Sequence, residues 1–150
     1  EIFVETLETV RDPEELSLET FSFEPNSWRN YQKLSGIGMT LKPDAYLELV
    51  NHDYEDHYFL EIDRITESLA RIVNTCKKYI EYYRSGIEQR QKEVFPYVLW
   101  VVPDDKRKLA ISKVIQKELY NFWELFTVIT LDEYSDYIKG GISNEPEESR

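Results

Sequence analysis

Asp44, Glu61 and Asp63 are the residues whose type and spacing best suit chemistry in this chain. Asp44 lies in LKPDAYLEL and the other two in FLEIDRITES, and both stretches read as extended. Side chains of an extended run alternate between faces, so Phe59, Glu61 and Asp63 point one way while Tyr58, Leu60 and Ile62 point the other. If the two stretches pair as a simple hairpin, Asp44 faces both acids. Carboxylates held that close repel unless a cation, a proton or nearby donors compensate. A hard divalent cation, Mg2+ or Mn2+, takes oxygen ligands, polarises a phosphoryl group and lowers the pKa of a water, which is what phosphodiester hydrolysis needs. The three acids are thus candidate catalytic residues and metal ligands, with a wet, ion-free face as the plainer reading.

The elements that must position them follow from periodicity. Residues 2–10, IFVETLETV, have the spacing of a short helix, and residues 18–25, LETFSFEP, read as a strand stopped by Pro25. Residues 26–38 read as loop, with Trp28 and Tyr31 covering something. GMTLKPDAYLELV alternates Leu41, Ala45, Leu47 and Leu49 with Lys42, Asp44, Tyr46 and Glu48; the polar NHDYED, residues 51–56, then turns the chain. This predicts a hairpin over 40–63. Thr66 is the expected N-cap of a helix that buries Leu69, Ile72, Val73, Cys76, Ile80 and Tyr83 and ends at Gly86. PYVLWVV, residues 96–102, reads as a strand buried on both faces. Asp104 or Asp105 then caps a helix with Ile111, Val114, Ile115 and Leu119 inward and Lys106, Lys113 and Lys117 outward. LFTVITL, residues 125–131, is a last strand, and GGISNEPEESR, residues 140–150, a disordered tail. Helix crossovers demand parallel neighbours while early strands can meander, so the order predicts an α/β fold with a mixed β-sheet flanked by helices. It also places Glu61 and Asp63 near a helix N-terminus, where backbone N–H groups attract anions.

With 150 residues, 41% of them apolar and 14% aromatic, the chain suits one folded domain over residues 1–150 despite a net charge of −11. It opens without Met, a signal peptide or a membrane-length apolar run, and looks excised from a longer chain. The single cysteine, Cys76, fits a cytoplasmic setting and reads as core rather than nucleophile. Charge is uneven: Arg64 to Lys117 carries 12 basic and 6 acidic residues, the remainder 6 basic and 23 acidic. Such a basic flank on an acidic chain can meet DNA phosphates, with Arg64, Arg71, Lys77, Lys78, Lys113 and Lys117 as candidate contacts. The simpler alternative is solvation, with Glu67 and Arg71 as a surface ion pair. His52, His57, Asp53 and Asp56 read as loop rather than metal site. Tyr79, Tyr82 and Tyr83, with Arg84, could stack bases or form an interface, with core and rim of one helix as the plainer reading. Gly140-Gly141 lacks the helix and lysine of a phosphate loop.

A PD pair followed by E-x-D on the next strand has the spacing of the PD-(D/E)XK nuclease pattern, with Asp63 where that pattern has lysine. More specifically, LKPDAYLEL, HYFLEIDRITESLARI, KKYIEYYRSG and FPYVLWVVPD together resemble the carboxy-terminal domain of the plasmid replication-relaxation family, over about residues 41–103. The resemblance implies a restriction-endonuclease-like core, Asp44 and Glu61 as metal ligands, and Mg2+ or Mn2+ if the site is active. It also implies DNA as partner, with replication or relaxase proteins, in plasmid replication or conjugative mobilisation. The lysine positions water and stabilises charge in such sites, so Arg71 or Lys78 on the following helix would have to reach back. A catalytically inactive docking module is the alternative the residues leave open.

Overall fold

The strands at the centre of the sheet carry apolar side chains on both faces, and their alternation decides which helices cover which face. The computed structural model describes residues 2–11, 17–50 and 55–139. In chain order the elements are α1 (Ile2–Arg11), β1 (Ser17–Phe23), β2 (Arg29–Gln32), β3 (Gly38–Leu41), β4 (Ala45–Val50) and β5 (Glu55–Ile62). Next come α2 (Leu69–Ser85), α3 (Ile87–Lys92), β6 (Tyr97–Val102), α4 (Asp105–Glu118), β7 (Phe126–Thr130) and α5 (Tyr134–Ile138). The main sheet has the order β1-β4-β5-β6-β7. Its first three strands run antiparallel, and β5-β6 and β6-β7 are parallel pairs. The α/β reading with a mixed, helix-flanked sheet is what the structure has.

Along β6 the side chains of Val98, Trp100 and Val102 enter one apolar cluster, with Ile72, Cys76 and Tyr79 of α2 and Ile111 and Ile115 of α4. Leu99 and Val101 enter a second, with Leu47 and Leu60 from the sheet and Tyr134 and Tyr137 of α5. The two crossover helices α2 and α4 share one face, as successive same-handed crossovers stepping one way across a sheet require. Ser68 caps α2, its Oγ accepting from Arg71 N at 3.2 Å, and Gly86 closes it with φ of 74°. Asp104 caps α4 by accepting from Arg107 N at 2.8 Å.

Two expectations need correction. Residues 26–38 are not plain loop: β2 pairs with β3 in a separate two-stranded sheet, with Arg29 opposite Leu41 and Gln32 opposite Gly38. The hairpin of the main sheet is therefore β4-β5 alone, because Pro43, which has no N–H to donate, separates β3 from β4. The helix expected from Thr66 begins at Leu69 instead. The expected turn at 51–54 and tail at 140–150 lie outside the described residues.

Candidate functional site

Ala45 pairs with Leu60, and Asp44, the residue just before β4, shares a cleft with Glu61 at the end of that strand pair. Pro43 leads into it, its carbonyl accepting from Ser27 Oγ at 2.7 Å. Asp44 N donates to Leu60 O at 3.0 Å, and Asp44 Oδ2 accepts from Ile62 N at 2.7 Å. Across the pair, Glu61 Oε2 accepts from the Tyr79 hydroxyl at 2.5 Å. Burial and then the Asp44 charge push the Glu61 carboxyl well above the usual carboxylate range, against the opposing Tyr79 hydrogen bond. Burial also raises Asp44, and the Ile62 N–H and Arg64 only partly offset it. A cleft of about 450 Å³ opens here, lined by Asp44, Glu61, Glu67, Thr75, Lys78 and Lys42 among others. For both carboxylates burial disfavours the charged form before any other cause acts. An ammonium beside them suits developing negative charge.

Asp63 has different partners. Its side chain is fully buried, and Arg107 of α4 grips it with Nε to Oδ2 at 2.6 Å and Nη2 to Oδ1 at 3.0 Å. Ile65 N donates to Oδ1 at 3.0 Å, in a residue held at φ of 69°, a left-handed conformation costly for a β-branched side chain. Arg107 also donates to Glu67 O at 2.8 Å, so one guanidinium ties the strand end to the approach of α2. The oxygens of Asp44, Glu61 and Asp63 accordingly do not gather within 4.8 Å of one another; among the described residues one such trio occurs, Glu48, Glu55 and His57. Glu61 and Asp63 do both meet the helical layer, but through different helices.

The Glu48, Glu55 and His57 trio could hold a metal ion by geometry. Its members already bind one another: His57 Nε2 lies 3.4 Å from Glu55 Oε2, and Glu48 Oε2 accepts from Tyr46 Oη at 2.5 Å and Lys92 Nζ at 3.1 Å. Burial alone would raise Glu48, but Tyr46 and Lys92 outweigh it and leave the carboxyl below its ordinary value. His57 is buried in β5, not in a loop, because Glu48 stands opposite it in the strand pair. His52 and Asp53 lie outside the described residues.

The six basic candidates, Arg64, Arg71, Lys77, Lys78, Lys113 and Lys117, are all exposed. Lys78 alone of them reaches the carboxylate cleft wall; Arg64 Nη1 lies 4.0 Å from Asp44 Oδ2, since the chain turns at Ile65. Glu67 lines the cleft rather than pairing with Arg71. Tyr79 and Tyr82 are fully buried, so they are core rather than base-stacking platforms; Tyr83 is partly exposed. Tyr79 as the partner of Glu61, and Glu67 as a cleft residue, escaped sequence reasoning. The one signal for Tyr79 was its place on the buried face of α2, three residues after Cys76.

Comparison with known proteins now bears on this geometry. The model of the Replication-relaxation family matches residues 1–98, from α1 through the carboxylate strands and α2 into β6. This chain belongs to the Replication-relaxation family. No curated protein and no solved structure matches it. The family match contains both Asp44 and Glu61 and the whole of their cleft wall; α4, with Arg107, falls outside it. No described helix is long and apolar enough to cross a membrane.

Proposed function

We propose that this Replication-relaxation chain is a DNA-processing domain of plasmid replication or conjugative mobilisation, with a nuclease-like site built on Asp44 and Glu61. The observation that supports it is the cleft at the end of the β4-β5 pair, which Asp44 and Glu61 both line. The topology supports it as far as the mixed sheet goes: α1, the antiparallel strands β1, β4 and β5 with the β2-β3 hairpin between the first two, the crossover helix α2 and the parallel strand β6. Asp44 and Glu61 would hold Mg2+ or Mn2+, which supplies Lewis acidity and an activated water when bound. Tyr79 orients Glu61 by its hydroxyl, and Ile62 N–H orients Asp44. Lys78 takes the charge-stabilising part that the pattern gives to the residue at Asp63.

Nicking of supercoiled plasmid DNA in Mn2+ tests this. The wild type is expected to nick, Glu61→Gln and Asp44→Asn to lose activity, and Lys78→Met to fall at least about 100-fold in rate. Equal nicking by Glu61→Gln would reject the site. A second reading, a non-catalytic docking module of the same assembly, is favoured by one observation: Asp63 is neutralised by Arg107 and the strand carries no lysine. It predicts DNA or protein binding with no metal-dependent cleavage at all.

A further inference from the structure

Between Glu24 and Asp44 the chain has no acidic residue, although the sequence holds 29, and it has Arg29, Lys33 and Lys42. This acid-free stretch is the β2-β3 hairpin. Its stem is anchored: Tyr31 and Leu41 are buried against the α2 side of the core, and Tyr31 Oη donates to Glu81 at 2.6 Å. Its tip, Lys33 to Ile37, lies beside the C-terminal turn of α2, where Leu34 and Ser35 share a notch with Glu81, Arg84 and Ser85. Gly36 N donates to Lys33 O at 2.8 Å and Lys33 N to Ile37 O at 2.9 Å, a tight turn that needs Gly36 at φ of 91°. That turn holds Leu34 entirely in water, at 110% relative exposure, and Ile37 at 60%. Around it lie cations: Lys33 and Arg84 beside Leu34 in one notch, Arg90 beside β2 and β3 in another, Lys42 and Lys78 on the carboxylate cleft. Glu81 lies 3.9 Å from Lys33, and Asp44, Glu61 and Glu67 share the cleft with Lys42 and Lys78.

We infer that the β2-β3 hairpin is a wedge that inserts Leu34 and Ile37 between base pairs of duplex DNA, beside the carboxylate cleft that β3 walls. This rests on the DNA-processing reading above. Two aliphatic side chains are far less than the roughly 800 Å² per partner that a stable protein interface buries. They are the size of apolar wedges that unstack a base step, while neighbouring Lys and Arg hold the phosphates. An arm stripped of acids in an acidic chain fits a polyanion and not an average protein surface. Because Gly38, Met39 and Thr40 line the cleft with Asp44 and Glu61, a duplex kinked at the tip lies against the acids.

A duplex carrying 2-aminopurine, with the protein in EDTA so that no metal is involved, tests the wedge. Wild type is expected to raise the fluorescence as the base unstacks. Leu34→Ser with Ile37→Ser should abolish that rise and weaken binding about tenfold, with the salt slope and Tm unchanged because both side chains are outside the core. Lys33→Gln with Lys42→Gln should instead reduce the salt slope by about 2. The wedge is overturned if the wild type gives no fluorescence rise, or if the Leu34→Ser, Ile37→Ser protein unstacks and binds as the wild type does. A loss confined to capture of a partner protein also overturns it. Loss of the wedge with metal-dependent nicking intact leaves the carboxylate site standing, and an intact wedge without nicking leaves the hairpin standing.

Discussion

Glu61 carries the sharpest consequence at the level of single residues. Its carboxyl, and Asp44 less strongly, bind a proton more tightly in the folded chain than in the unfolded one, through burial first in both and, for Glu61, the Asp44 charge next. Below the ordinary carboxylate pKa both states are protonated and nothing is lost. As pH rises above it, the unfolded chain releases its protons first, so stability falls with pH until the folded groups also ionise. The wild type is therefore expected to melt lower at pH 8 than at pH 5. Glu61→Gln keeps an acceptor for Tyr79 and removes the charge, so it should raise Tm at pH 8 and flatten that difference. Each kcal/mol recovered is worth about 2–4 °C in a chain of this size. Melting curves across pH check this; an unchanged pH profile in the variant would mean that Glu61 is ordinary surface.

Arg107 shows how elements, rather than residues, set the site. It locks the end of β5 to α4 and steadies the turn through Ile65 into α2, the helix that brings Tyr79 and Lys78 to the cleft. Removing it leaves Asp63 buried and unpaired, so Arg107→Ala should cost about 3–5 kcal/mol in urea unfolding. A cost under about 1 kcal/mol would show the pair to be decorative. This lock was invisible in the sequence because its partners are 44 positions apart. The alternation in DAYLELV and YFLEI, by contrast, carried the β4-β5 hairpin that brings Asp44 and Glu61 to one cleft, since one face of each strand had to be apolar. It misled at Asp63, which lies just past the strand, where the period of two no longer governs. β2 was missed because three of its four residues are polar and its burial rests on Tyr31 alone. The start of α2 shifted from Thr66 to Leu69 because the Arg107 contacts hold Asp63 to Glu67 out of the helix.

Across the whole molecule, charge is the organising feature: a chain of net charge −11 turns exposed cations outward from α2 and α4, which lie on one face of the sheet. If that layer follows a phosphate backbone, Lys113→Glu with Lys117→Glu should weaken duplex binding and lower the salt slope by about 2. An unchanged slope would move DNA away from α4 and leave the hairpin and α2 as its only track. The parallel strands β5 and β6 with their crossover helix were legible from the order of elements, as was the face that α4 buries. Which acids could share an ion was not, because that depends on a long-range pair with Arg107.

The most direct measurement of the central claim is the change in Tm on titrating Mn2+ at pH 7 into the wild type, Asp44→Asn and Glu61→Gln. Binding to the folded state must raise stability, by about 2.7 kcal/mol at a hundredfold excess over Kd. The account predicts an upshift in the wild type that both variants abolish. An upshift that survives in Glu61→Gln, or none in the wild type, would contradict it.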